Sequence, residues 1–177
     1  MTTFIFIRHG QPDLTVFEKK IYHLWGLDMV PLSREGIEQI RSLAHHEEIA
    51  KAQIILTPPL TRTLETAQIL SKELGIDVVI EEGLHEWLPD KQYRPLDDDE
   101  RIRRYDEMNE CKAVYPKGEE KPWEDKDSMK ERIESVLVRY LDYERVLVVT
   151  HGTLMQYYFG IDHPGCGQAV LMNAGMK

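Results

Sequence analysis

The chain has 177 residues, of which 42% are apolar and 30% charged, a size and composition typical of one globular domain with a single core. Its formal net charge of −9 disfavours general nucleic-acid binding and repels anionic substrates, so a phosphate site would need a local cluster of arginines. Apolar runs are too short for a membrane helix, and the N-terminal run is too short for a signal peptide, so we expect a cytoplasmic protein without a membrane partner. Because of the net charge, we expect no nucleic-acid partner either. Cys111 and Cys166 lack the spacing of a zinc or redox pair and are expected to be free thiols.

Five short apolar runs are predicted to be strands. Residues 3–7 carry apolar side chains on both faces, which is typical of a buried strand in a parallel sheet. The other runs are 53–56, 78–80, 146–149 and 169–172. Because helical patterns alternate with these runs, we expect an α/β fold, a three-layer sandwich in which helices flank a mostly parallel central sheet.

Capping signals locate three of the helices. The predicted starts are Ser33, Thr57 followed by Pro58, and Ser128 with Glu131 as a capping box. Gly75 is predicted to end the second helix, because glycine readily adopts the left-handed conformation found at helix ends. The apolar positions of the third helix continue to Leu141, which predicts a helix as far as that residue.

The stretch 87–127 differs from the rest of the chain because it contains no convincing strand pattern. An acidic run at 97–100 is followed by three arginines and then by the proline-bounded loop 116–122. We interpret 87–127 as a short, partly helical cap insertion, and the whole of 1–177 as a single domain.

Reactive and charged side chains follow four of the predicted strands. The first strand leads into Arg8, His9, Gly10 and Gln11. Arg62 follows the second strand, and Glu86 follows the third. The fourth strand leads into His151 and Gly152. Ligands of open α/β sheets bind at the carboxyl ends of the strands, so we expect these residues to share one site. Two histidines, two arginines and a carboxylate are the groups needed for phosphoryl transfer through a histidine. No function is predicted for the remaining candidates, His45, His46 and His163.

The order of these motifs resembles that of the histidine phosphatase superfamily, which includes the cofactor-dependent phosphoglycerate mutases. Arg8-His9-Gly10 at the end of a strand is similar to the signature of this family. The remaining matches are the stretches 26–28, 31–33 with Gly36, 57–67, 84–86 and 149–152. Together they extend over nearly the whole chain.

The resemblance implies a role for each residue of the site. His9 attacks phosphorus and carries the phosphoryl group, and Glu86 protonates the leaving oxygen and later deprotonates the attacking water. The equatorial oxygens are bound by Arg8, Arg62 and His151. Fixed cations and donors suit a transition state whose charge spreads over these oxygens, and neither a metal ion nor an organic cofactor is expected.

Four residues depart from the pattern of the family. Thr15 stands where many relatives carry an asparagine that binds phosphate, so this contact is expected to be lost or made differently. Gln11 replaces a frequent glutamate and could still donate a hydrogen bond, and 56–57 replaces a common serine pair. The expected substrate-binding residues are therefore Arg8, Gln11, Thr15, Arg62, His151 and Gly152.

Three functions remain open from the sequence. A phosphomonoesterase that releases inorganic phosphate from a small phosphorylated metabolite is favoured, because the insertion is short and the chain ends just past the last predicted strand. A phosphoglycerate mutase would need a lid that shields phosphohistidine from water. A non-catalytic phosphate-binding module would be expected to lack His9 or Glu86, and both are present.

Specificity is predicted to depend on the cap insertion and on the loop 17–25. Four side chains of that loop could contact a substrate: Lys19, Lys20, Tyr22 and His23. If Glu86 is not the acid, Asp13 or Asp90 is the next candidate.

Overall fold

One five-stranded sheet forms the centre of the computed structural model, which describes residues 1–18 and 26–174. The strands are β1 (Thr3–Arg8), β2 (Ile54–Thr57), β3 (Val78–Ile80), β4 (Arg145–Thr150) and β5 (Ala169–Asn173). They lie in the order β3-β2-β4-β1-β5, and all neighbours are parallel except β1 and β5. The predicted α/β fold with a mostly parallel sheet is confirmed.

Helices cover both faces of this sheet. Those formed by the described residues are α1 (Thr15–Glu18), α2 (Gly26–Met29), α3 (Arg34–Ala44), α4 (Glu47–Ala50), α5 (Thr61–Leu74), α6 (Asp98–Glu110), α7 (Lys126–Leu137) and α8 (Gly152–Phe159). Short 3₁₀ turns lie at Glu82–Leu84 and Val138–Tyr140. In the part of the chain that the structure describes, no helix combines the length and the apolar character that crossing a bilayer requires.

The sheet is buried on both faces, as the pattern of residues 3–7 predicts. Phe4 and Phe6 of β1 belong to one core cluster, which includes apolar residues of α7 and α8. Ile5 and Ile7 alternate with them and belong to a second cluster, formed with α3 and α5. Because side chains alternate along a strand, the two faces of β1 pack on different helical layers.

Two helix boundaries agree with their capping signals. Ser33 caps α3, since its side-chain oxygen accepts a hydrogen bond from the N–H of Gly36 at 3.0 Å. Gly75 follows the last residue of α5 in the left-handed conformation, with a φ of 69°. Both signals therefore act as the sequence predicts.

The predicted helix start at Thr57 is wrong. Thr57 still pairs with Ile80 in the sheet, and α5 begins four residues later, at Thr61. A residue that precedes proline disfavours the helical conformation, and here two prolines follow in succession. The prolines therefore form the turn between strand and helix rather than the first turn of the helix.

The predicted capping box at Ser128 is also wrong. Helix α7 begins at Lys126 because Asp125 supplies the cap: its carboxylate accepts a hydrogen bond from the N–H of Ser128 at 2.9 Å. Aspartate caps a helix as well as serine does, and here the aspartate stands at the true start. The helix ends at Leu137, so Leu141 lies outside it and is 49% exposed.

Residues 87–127, hereafter the cap segment, contain α6. Every residue of the segment is described, and none lies in a strand, as the sequence predicts. The segment has a core cluster of its own, which it completes with one residue of α7: Trp87, Met108, Ala113, Trp123 and Met129. Buried Asp90 ties the start of the segment to α6, because its carboxylate accepts a hydrogen bond from Arg104 at 2.9 Å.

Candidate active site

The residues that follow β1 and β4 meet at one edge of the sheet. Because these strands pair with Arg8 opposite Thr150, His9 and His151 become neighbours. The N–H of His9 donates to the carbonyl of Thr150 at 3.0 Å, and the two imidazole rings lie 5.2 Å apart between centroids. Arg62 reaches both rings from the first turn of α5, which follows β2 on the other side of β4. The structure therefore brings these predicted site residues together.

A close backbone contact positions the loop after β1. A Cβ on Gly10 would stand 2.8 Å from the carbonyl oxygen of Gly36 in α3. The N–H of Gly10 also donates to Oγ1 of Thr66 in α5 at 3.1 Å. A side chain at Gly10 would push the loop away from α3, and with it His9, so only glycine fits this position.

His9 is 4% exposed and has a defined tautomer. Arginine can only donate, so the 3.2 Å hydrogen bond from Nε of Arg62 makes Nε2 of His9 the acceptor. The ring proton then lies on Nδ1, which donates to the carbonyl of Gly10 at 2.8 Å. Burial, followed by the charge of Arg62, lowers the pKa of His9 to about 3. His9 is therefore neutral near pH 7, with a lone pair on Nε2 that suits a nucleophile.

The same reasoning assigns the tautomer of His151, which is completely buried. Nη2 of Arg62 donates to Nδ1 of His151 at 3.1 Å, so the proton lies on Nε2. Burial lowers the pKa of His151 well below its ordinary value, and the charge of Arg62 lowers it further. Among the described residues, neither Nε2 of His151 nor Nε of Arg8 has a hydrogen-bond partner, although both atoms are buried. Buried donors without partners are costly, which indicates a site built to receive an acceptor.

The loop after α8 orients Arg8. The carbonyl of Pro164 accepts a hydrogen bond from Nη1 of Arg8 at 2.6 Å. In the same loop, the N–H of Gly167 donates to the backbone carbonyls of Arg8 and His9. The guanidinium of Arg8 and the backbone of His9 are therefore fixed by one short segment that follows the last helix.

His163 belongs to this loop and lies beside the site, although its sequence context predicts no function for it. A Cβ on Gly152 would collide with the imidazole of His163 and would stand 3.1 Å from the guanidinium carbon of Arg8. Burial, followed by the charge of Arg8, lowers the pKa of His163. Gly152 therefore allows α8 to start directly against these two side chains, and no local signal in the sequence marks this contact.

Glu86 lies half-buried at the N-terminus of α8. Its carboxylate accepts hydrogen bonds from the backbone N–H groups of Trp87 at 2.9 Å, Leu154 at 3.0 Å and Thr153 at 3.4 Å. Burial lowers the pKa of Arg62, and the negative charge of Glu86 opposes this effect. The carboxylate therefore belongs to the same electrostatic cluster as Arg62.

A largely buried ion pair that the sequence pattern does not predict holds the loop of Glu86. Nε of Arg132 in α7 donates to Glu124 at 2.6 Å, and its Nη1 donates to the carbonyl of Gly83 at 2.7 Å. Nη2 of Arg132 lies 3.4 Å from the carbonyl oxygen of Glu86. The carbonyl of Glu124 accepts a hydrogen bond from Nε1 of Trp87 at 2.8 Å. The pair therefore fixes the chain on both sides of Glu86.

Gln11 and Thr15 are both exposed, on the stretch that follows Gly10. The hydroxyl of Thr15 donates to Oδ1 of Asp13 at 2.6 Å, and its N–H donates to the same oxygen at 3.0 Å. Asp13 thus stabilises the start of α1. The substrate contacts predicted for Gln11 and Thr15 remain predictions.

Asp90, the other alternative acid, is buried and fully engaged. Its carboxylate accepts hydrogen bonds from Nε and Nη2 of Arg94 and from Arg104. The hydrogen bonds from Arg94 hold the pKa of Asp90 well below its usual range, although burial opposes them. A carboxylate held in this way is unsuited to donating a proton.

A cavity of about 510 Å³ opens beside Arg62 and Glu86, and the cap segment supplies most of its described wall. The predicted contacts from the loop 17–25 stay a prediction, since residues 19–25 lie outside the described part of the chain. Among the residues that are described, no group of three or more His, Cys, Asp or Glu side chains is arranged to hold a metal ion.

Known proteins share this sequence pattern and fold. Residues 4–161 match the family model of the histidine phosphatase superfamily (branch 1). The uncharacterized phosphatase PhoE of Bacillus subtilis is 29% identical over 156 residues, which are 86% of this chain and 72% of that protein. The transcription factor tau 55 kDa subunit of Saccharomyces cerevisiae is 37% identical over 75 residues, but these are only 41% of this chain and 16% of that protein. A mycobacterial glucosyl-3-phosphoglycerate phosphatase in complex with VO3 has the same fold, with a TM-score of 0.69 and 17% identity over 98% of this chain and 91% of that one.

Proposed function

Because the chain belongs to the histidine phosphatase superfamily, we propose that it hydrolyses phosphomonoesters of a small metabolite through a phosphohistidine at His9, without a metal ion. The arrangement of side chains around His9 is the main support for this proposal. Its neutral imidazole has the lone pair on Nε2, and two buried donor atoms near it, Nε2 of His151 and Nε of Arg8, have no partner in the described structure. A phosphoryl group at this lone pair would supply the acceptors that these donors lack.

In the first step, Nε2 of His9 attacks phosphorus, and the bond between phosphorus and the leaving oxygen breaks. Glu86 in its protonated form transfers its proton to that oxygen, so a neutral alcohol leaves. Arg62 exchanges its hydrogen bond to His9 for one to a phosphoryl oxygen, which frees the lone pair for the attack. The donors around the phosphoryl group are fixed before the reaction starts, so little reorganisation accompanies the development of charge.

In the second step, water attacks the phosphorus of the phosphohistidine. The Glu86 carboxylate takes a proton from this water, the bond between nitrogen and phosphorus breaks, and its electron pair returns to Nε2 of His9. Inorganic phosphate leaves, with Glu86 protonated and His9 neutral again. The proton gained by the alcohol in the first step is therefore replaced from water in the second.

Release of inorganic phosphate from alkyl and aryl phosphates, in the presence of a strong chelator, tests this proposal. We expect turnover by the unchanged protein and none by His9→Asn, whereas His45→Asn serves as a matched control that keeps the activity. Loss of activity on chelation would contradict metal independence. Full activity of His9→Asn would contradict its role as the nucleophile, and absence of turnover in the unchanged protein would favour a binding module.

Hydrolysis rather than mutase activity is supported by the modest size of the cap segment, in which α6 is the one complete α-helix. A mutase must keep water away from phosphohistidine while its substrate reorients, which requires an enclosing lid. Given 3-phosphoglycerate and a bisphosphorylated primer, we expect phosphate to be released faster than 2-phosphoglycerate forms. Isomerisation that outpaces the hydrolysis of every tested monoester would identify a mutase instead.

A further inference from the structure

The cavity beside Arg62 and Glu86 is larger and more apolar than the binding of a phosphoryl group requires. Its volume of about 510 Å³ lies within the range of sites that bind whole small molecules. Arg62, Glu86 and Thr153 line it next to the phosphoryl site. Much of the remaining wall is apolar or aromatic and includes Leu60, Trp87, Leu88, Tyr93, Leu96 and Tyr105.

The aromatic part of this wall is held in place by the packing of the cap segment. Trp87 is 6% exposed, and Tyr105 packs against it edge to face with centroids 5.9 Å apart. The buried side chains of Met108 and Trp123 belong to the same cluster. Because packing fixes these rings beforehand, a ring-shaped ligand would bind without much reorganisation of the wall.

Tyr93 is held at the cavity by an unusual backbone conformation. Its φ of 55° lies in the left-handed region, which costs energy for any residue with a side chain. Asp90 stabilises this turn, because its carbonyl accepts the N–H of Tyr93 at 3.0 Å and its carboxylate accepts the N–H of Gln92 at 2.9 Å. The ring lines the cavity although it is 57% exposed, so the turn keeps an apolar surface available there.

One cation in the wall retains hydrogen-bonding capacity. Nε of Arg101 is buried, and it has no hydrogen-bond partner among the described residues. Its Nη2 makes a long contact of 3.4 Å with Asp98, whereas the neighbouring Arg94 is bound closely by Asp90. The Arg101 side chain lines the cavity and is 37% exposed, so an acceptor on a ligand in this part of the cavity can reach its terminal nitrogens.

We propose that the cavity is a leaving-group subsite for an alcohol that contains an aromatic or other apolar ring and carries one acceptor group for Arg101. This inference rests on the proposed function, because the alcohol is the part of the phosphomonoester that leaves when His9 is phosphorylated. A ring that packs against Trp87 and Tyr105 removes apolar surface from water, which a small hydroxy acid or polyol does not do. The cap segment thereby selects esters by the body of their alcohol.

Two phosphate esters of primary alcohols, 2-phenylethyl phosphate and glycerol 1-phosphate, test the apolar part of the subsite. Their leaving groups are similar alkoxides, so the ring is the main difference. We expect kcat/KM for the phenylethyl ester to be higher by about tenfold or more. Leu96→Asn and Tyr93→Ser should each reduce this advantage while glycerol phosphate is hydrolysed as before. The control is Ile102→Asn, at an exposed position of α6 outside the described wall, which should leave kcat/KM for both esters unchanged.

A derivative of 2-phenylethyl phosphate that carries a carboxylate on the ring, opposite the phosphorylated side chain, tests the contact with Arg101. We expect the carboxylate to raise kcat/KM by roughly tenfold over the plain phenylethyl ester, and Arg101→Leu to abolish this gain. Equal or lower kcat/KM for the phenylethyl ester, with turnover that still depends on His9, would overturn the subsite and leave the hydrolase intact. Failure to hydrolyse any of the esters would contradict the hydrolase and the subsite together.

Discussion

Nε of Arg62 donates a hydrogen bond to Nε2 of His9 at 3.2 Å, directly to the lone pair that the proposed reaction uses. The same guanidinium bonds Nδ1 of His151 through Nη2 at 3.1 Å. Arg62 therefore fixes the tautomers of both histidines, because it can only donate. In the proposed reaction Arg62 turns to the phosphoryl oxygens, so one hydrogen bond replaces another and freeing the Nε2 lone pair of His9 costs little.

Removal of Arg62 should weaken the binding of phosphate. A hydrogen bond to a charged group contributes about 1.5–3 kcal/mol, so Arg62→Ala should raise the competitive inhibition constant of inorganic phosphate or vanadate by roughly tenfold or more. Arg101→Ala is the matched control, because this arginine lines the cavity but is proposed to contact only the alcohol. An unchanged inhibition constant in Arg62→Ala would remove Arg62 from the phosphate site.

Burial of neutral His9 should make the protein less stable in acid. The unfolded chain binds a proton at His9 near pH 6.5, whereas the folded protein does so only near pH 3, so the free energy of unfolding falls as the pH drops through this range. From pH 7 to pH 5 the contribution of His9 is about 2 kcal/mol. Urea unfolding at both pH values measures this contribution. The free energy of unfolding should fall less in His9→Gln than in the unchanged protein, by about 2 kcal/mol. The same fall in both proteins would mean that His9 is not held neutral.

Substitution of Glu86 should affect poor leaving groups most. An alkoxide needs a proton as it leaves and a nitrophenolate hardly does, so Glu86→Gln should slow phosphorylation by alkyl phosphates by about 10²–10⁴-fold and by nitrophenyl phosphate much less. Single-turnover phosphorylation of His9 measures this step apart from the later attack of water. Equal slowing with both substrates would show that Glu86 is not the acid.

The ion pair between Arg132 and Glu124 should act on catalysis through the position of Glu86. Arg132→Met removes the hydrogen bonds to Glu124 and Gly83, so we expect slower single-turnover phosphorylation by alkyl phosphates and little change with nitrophenyl phosphate. Arg139→Met is the control, because it breaks an ion pair with Glu81 and leaves the hydrogen bonds to Glu124 and Gly83 in place. A purely structural role for Arg132 would slow both substrates equally.

The sequence alone predicts the residues whose positions follow directly from strands and their pairing. His9 and His151 each come immediately after a parallel strand, and the register of β1 and β4 brings them together. Local signals fail where a contact crosses elements: His163 reaches Gly152 only through the path of the loop after α8, and Arg132 supports Glu86 from another helix through backbone groups. These contacts depend on tertiary packing, which leaves no periodic or capping pattern in the sequence.

The most direct test of the account is the mass of the intact protein after turnover is quenched in denaturant. The unchanged protein should carry one acid-labile phosphoryl group, and the adduct should be absent from His9→Asn. His163→Asn controls for the other imidazole beside Arg8 and should still form the adduct. A phosphoryl adduct that persists in His9→Asn would contradict the assignment of His9 as the nucleophile.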